Sequence, residues 1–210
     1  MKKIDYFLLV ITCLATSFPI YASAQINLGF GVTPFATTKI TGSKLAMTSY
    51  NDNRLSTGNY KNFHALQFFV SYDKDLMSFF GFRVGASSKT IQKRTDSKYT
   101  YDRNDGNFIF NISAFMVEFD LKFKFRELYL TVGFNQPMSY TIHDNAHRQE
   151  EGEMGLQGAL GLIVYETWGF EFFYSELKGK LIHKTSDATQ TEAFFTTPLL
   201  GFSMYYSISL

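Results

Sequence analysis

Eight segments of this sequence alternate apolar residues with small or polar ones at a period of two. In a strand, successive side chains point to opposite faces, so each such run is a strand with one apolar face. The most regular is the last: Phe202, Met204, Tyr206, Ile208 and Leu210 lie on one side, Gly201, Ser203, Tyr205, Ser207 and Ser209 on the other. INLGFGVT (26–33), HALQFFVSY (64–72) and SFFGFRVGAS (78–87) repeat the pattern. A fourth run changes phase, with Phe108, Phe110 and Ile112 even and Phe115 to Phe125 odd, which predicts a bulge near Ser113–Ala114. The fifth carries Leu128, Leu130, Val132 and Phe134, continuing past Pro137 with Tyr140 and Ile142; the sixth has Met154, Leu156, Leu160, Leu162 and Val164; the seventh has Trp168, Phe170, Phe172 and Tyr174.

The connections sort by length. DKDLM, RE and ET are short, whereas the segments after the first, third, fifth and seventh runs are long and polar. Long and short connections in strict alternation are the mark of an up-and-down transmembrane barrel, with short turns and both termini on the periplasmic side. The expected fold is therefore all-β: an eight-stranded antiparallel up-and-down transmembrane β-barrel.

The amino terminus reads differently. Lys2 and Lys3 precede an apolar run from Tyr6 to Ile20, and Ala22-Ser23-Ala24 stands before Gln25. A basic start, a short apolar stretch and an A-x-A site predict a secretory signal peptide over 1–24, cleaved after Ala24, with the barrel domain over 25–210. The alternative is a lipidated Cys13 in VITC. Cys13 is the only cysteine, so the cleaved chain is expected to hold no disulfide. Cleavage removes two of 20 basic and one of 19 acidic residues, leaving 18 of each. That balance argues against nucleic acid as a partner.

Which face meets lipid follows from bulk. The polar face carries Arg83, Glu118, Asp120, Lys122, Lys124 and Glu171 among Gly, Ser, Asn and Gln. Turned inward, the aromatic side chains (18% of the chain) would overfill a narrow barrel, as a soluble lipocalin-like alternative requires. Turned outward, they meet lipid, and the charges form a network in the lumen. Tyr72, Tyr129, Tyr165, Trp168 and Tyr206, close to the short turns and the C-terminus, are expected to form an interfacial aromatic girdle.

With these runs in place, residues 25–210 resemble the small bacterial outer-membrane barrels of the OmpX and opacity-protein type. Tyr206, Ile208 and Leu210 match the spacing of that family's C-terminal strand, although the family usually ends on Phe, and Phe115–Gly133 resembles its central hairpin. The resemblance implies a bacterial outer-membrane location, monomeric state, contact with outer-membrane lipid and lipopolysaccharide, and recognition of the last strand by barrel-assembly machinery.

Candidate chemistry is sparse. Ser139 and His143 share parity but lie roughly 13 Å apart along a strand, too far for a catalytic pair. His143, His147, Asp144, Glu150 and Glu151 have a spacing that suits a helix, in a segment that reads as loop. No serine elbow, phosphate loop or cysteine site occurs, so no catalytic residue, metal or cofactor is expected. The second long loop is expected to hold Lys89, Lys93, Arg94, Lys98 and Arg103, interleaved with Tyr99 and Tyr101. Cations beside tyrosines are candidate contacts for phosphates outside the cell. The reading is a non-enzymatic barrel with a polar, non-conducting interior and four long outer loops in a structural, adhesive or surface-interaction role. The alternatives are a small-solute channel, a lipid-modifying enzyme or an accessory barrel of a secretion machine.

Overall fold

The computed structural model describes residues 23–42, 58–93, 111–143, 149–184 and 190–210. They form β1 (Ala24–Gly42), β2 (Gly58–Met77), β3 (Phe80–Lys93), β4 (Asn111–Phe125), β5 (Leu128–His143), β6 (Gln149–Glu153), β7 (Gly155–Val164), β8 (Trp168–Lys184) and β9 (Gln190–Ser209). Neighbours pair antiparallel, and β9 pairs with both β8 and β1, so the sheet closes on itself. β6 and β7 both pair with β8 and are two halves of one wall strand, interrupted at Met154. The result is a closed eight-stranded antiparallel barrel, the closure that lipid favours because it offers no partners to a free edge.

Short turns join β2–β3 at Ser78–Phe79, β4–β5 at Arg126–Glu127 and β7–β8 at Tyr165–Thr167. The first differs from expectation. Asp73, Lys74 and Asp75 belong to β2 and pair with Arg83, Phe82 and Gly81, so DKDLM is mostly strand. Antiparallel pairing carried to the last possible residue leaves only two residues to turn.

The outward face is apolar from the short turns upward: Leu28, Phe30, Val32, Phe68, Leu121, Leu130, Leu160, Phe172 and Phe202 are all exposed. Two bulges rephase the wall. Pro34 and Phe35 both face out, with a register shift between Val32 and Phe35. On β5, Met138 and Ser139 both face out and the shift falls between the Phe115–Ser139 and Met116–Pro137 pairs. Both bulges flank a proline, which cannot donate to a ladder and is confined to such places. The bulge anticipated at Ser113–Ala114 is absent: β3 and β4 stay in register through Asn111, and Ile112 points into the lumen. Because the extra residue lies across the ladder at Met138, Tyr140 also points inward.

The lumen has two layers. Toward the short turns it is polar. Toward the long connections it is apolar, filled by Ile40, Ile91, Ile112, Met116, Leu177, Phe195 and Leu199. This corrects the expectation of a polar interior for the loop-side half. Inward rings lie over glycines of other strands: a Cβ on Gly161 would collide with the Tyr129 ring, one on Gly169 with the Tyr205 ring, and one on Gly179 with the Tyr140 ring. Side chains, not an open channel, fill a barrel of this size.

Above the Asn135–Gly155 pair the wall changes character. β5 has no ladder to β6 among the described residues, and Pro137 offers no N–H there. Gln136 Nε2 donates instead to the carbonyls of Gly152 and Pro137, each at 3.2 Å.

Candidate functional site

The polar layer is built by inward positions of neighbouring wall strands at matched heights. Register sets Asp73 opposite Arg83, and Arg83 opposite Asp120, across β2, β3 and β4. Arg83 is the hub. Its Nε donates to Asp73 Oδ1 at 2.8 Å, Nη2 to Asp73 Oδ2 at 3.1 Å, and Nη1 to Glu171 Oε1 at 2.5 Å. The guanidinium lies 5.6 Å from the Tyr129 ring centroid and 5.5 Å from that of Tyr205, within cation–π range.

Lys122 Nζ donates to Asp73 Oδ2 at 2.5 Å and sits 4.6 Å from the Tyr129 ring centroid. Glu171 accepts further bonds from Tyr129 Oη at 2.6 Å and Ser203 Oγ at 2.9 Å. The Tyr129 and Tyr205 hydroxyls lie 2.8 Å apart. One step toward the loops, Lys89 Nζ reaches Glu118 Oε1 at 3.1 Å and Ser175 Oγ at 2.7 Å, while Ser87 Oγ donates to Glu118 at 2.6 Å. At the short-turn mouth Lys124 pairs with Asp75 at 2.6 Å.

The structure therefore places Arg83, Glu118, Asp120, Lys122 and Glu171 in the lumen. Sequence reading missed Asp73, Asp75 and Lys89. Lys89 was given to the outer loop but is 1% exposed inside the barrel, because β3 runs on to Lys93. Its odd parity, shared with Arg83, was the available signal.

Of the girdle residues, Trp168 and Tyr206 face out and meet edge-on at 5.2 Å between centroids, and Tyr165 is exposed in its turn. Tyr72 lies on the outward face beside Phe82. Tyr129 must be corrected: it is 0% exposed and belongs to the luminal network. The two-residue turn before Leu128 sets Leu128 and Leu130 outward and Tyr129 between them inward. Of the outer-loop candidates, Lys93 ends β3 instead of lying in a loop, whereas Arg94, Lys98, Tyr99 and Tyr101 lie outside the described residues.

No group of His, Cys, Asp and Glu able to hold a metal occurs among the described residues. Ser139 faces outward on the bulge, away from the luminal network.

A closed antiparallel wall with an apolar exterior and an ion-paired interior is the architecture of outer-membrane barrels. OprG from Pseudomonas aeruginosa superposes on this chain with a TM-score of 0.50 at 13% identity, covering 89% of this chain and 96% of that one. The fold is that of a small outer-membrane β-barrel. Two further solved structures match with lower scores. One is Ail of Yersinia pestis, in complex with the heparin analogue sucrose octasulfate, at TM-score 0.45 and 9% identity over 89% of this chain and 99% of that one. The other is AlkL in DMPC bilayers, at TM-score 0.45 and 12% identity over 93% and 95%. No protein-family model matches the sequence, and no curated protein does. On β8 the exposed face is apolar from Trp168 to Tyr174, and the ion-paired Glu176, Lys178 and Lys180 follow it.

Proposed function

We propose that this chain is an outer-membrane barrel with a non-conducting lumen, acting through the segments it presents outside the cell in a structural, adhesive or surface-interaction role. What carries the reading is the filled cross-section: the layer tied together by Arg83 is capped by the apolar layer of Ile40, Met116, Leu177 and Phe195. An ion crossing it would have to displace paired charges and then apolar side chains, both costly. In the same reading the leader over 1–24 is removed, the barrel is a monomer, and the last strand is its address for the assembly machinery. Outer-membrane lipid and lipopolysaccharide phosphates are its neighbours, met by Lys93, Arg94, Lys98, Tyr99 and Tyr101.

The test is conductance of the refolded barrel in a planar bilayer. No current steps are expected; regular open-channel steps would overturn the reading. Binding of lipopolysaccharide to a chain shortened between residues 94 and 110 then tests the outer segment, and undiminished binding would remove those residues from the proposal.

One observation favours a second reading, passage of a small apolar molecule. At the parting of β5 from β6 at Pro137 the Gln136 side chain reaches across to the Gly152 carbonyl, and apolar luminal residues stand at that level. Faster entry of an apolar tracer into vesicles carrying the barrel, increased by Gln136→Ala, would favour it.

A further inference from the structure

The charges inside the barrel do not balance. Among the described residues, Asp73 is answered by Arg83 and Lys122, Glu171 by Arg83, Glu118 by Lys89, and Asp75 by Lys124. That makes four cations and four carboxylates, and a fifth carboxylate remains. Asp120 is 4% exposed and has no ion-pair partner among the described residues; its side-chain hydrogen bond is from Gln157 Nε2 to Oδ1 at 2.9 Å. Arg83 is its cross-strand neighbour, but the guanidinium is directed to Asp73 and Glu171.

A second observation points to the same place. Asp120, Glu118, Gln157 and Thr131 line a partly open luminal cavity of about 40 Å³, to which Arg83 and Lys89 also contribute. Such a space takes one small ion or a pair of waters, since one water needs roughly 10–15 Å³ on this measure. An isolated carboxylate in a water-poor interior is strongly disfavoured, so it takes up a compensating charge.

We propose that the closed barrel binds one positive charge in this cavity against Asp120, either a proton on the carboxyl or an alkali cation beside it. The lining offers carboxylate, amide and hydroxyl oxygens, the set that hard ions prefer to softer transition metals, and its two cations, Arg83 and Lys89, are already held by Asp73, Glu171 and Glu118. The inference concerns the interior of the folded barrel and stands whether or not the outer segments bind anything.

The experiment uses the refolded barrel in detergent micelles, as wild type and as Asp120→Asn, with Asp73→Asn as the paired control. Urea midpoints are compared in sodium, potassium and N-methylglucamine salts at one ionic strength, and the infrared difference between wild type and Asp120→Asn is recorded. A wild-type midpoint that depends on the cation, with that dependence lost in Asp120→Asn, identifies an alkali ion. A carboxylic-acid carbonyl band that vanishes in Asp120→Asn identifies a proton. In either case Asp120→Asn keeps or raises the midpoint, whereas Asp73→Asn lowers it. An ionised Asp120 with no dependence on the cation overturns the proposal, and the wild-type protein alone decides that point if a variant fails to refold.

Discussion

Replacing Arg83 with methionine keeps most of the side-chain volume and removes the hub of the luminal layer. Asp73 would retain Lys122, and Glu171 would retain the Tyr129 and Ser203 hydroxyls, but the direct charge partner of Glu171 is lost. Deleting one member of a buried ion pair costs about 3–5 kcal/mol, because the other charge stays behind. Two ring contacts to the guanidinium are lost as well, each at 5.5–5.6 Å. The remaining partner of Asp73 holds the estimate to the lower end, about 3 kcal/mol, or roughly a hundredfold in the folded-to-unfolded ratio. Urea unfolding in phospholipid vesicles reads this out through Trp168, the only tryptophan, which faces lipid against Tyr206. An unchanged midpoint with an unchanged slope would mean that water, not Arg83, solvates the luminal carboxylates, and the sealed-lumen argument would fail with it.

Gly169→Ala drives a Cβ into the Tyr205 ring, whose hydroxyl is tied to Tyr129, so it should cost about 1–3 kcal/mol in the same assay; no loss would show that the ring moves aside freely. Glu166 sits at φ 60° in the β7–β8 turn, and Glu166→Gly should stabilise by about 0.5–1 kcal/mol by relieving the left-handed backbone; a lower midpoint would refute that.

Side-chain parity is local, and that is why so much of the wall was legible in the sequence. Once Phe202 to Leu210 and Ile26 to Val32 alternate, their apolar faces are set by strand geometry alone. The greasy exterior, the count of eight wall strands and the inward direction of Arg83, Lys122 and Glu171 follow from it. Bulges break parity, and their position depends on the neighbouring strand. The phase change around Ile112 pointed to Ser113–Ala114, but the extra residue is Met138 on β5, so Ile112 and Tyr140 turn inward together.

Turn length is likewise a two-strand property. Whether Asp73 and Asp75 belong to a turn or to the lumen depended on how far β2 and β3 stay paired. The charge balance depended on it too. Sequence alone determined that this chain presents apolar side chains outward from a closed sheet. Only the tertiary structure decided what meets across the lumen, because Arg83, Tyr129, Glu171 and Tyr205 come from four different wall strands and are brought together by register and closure.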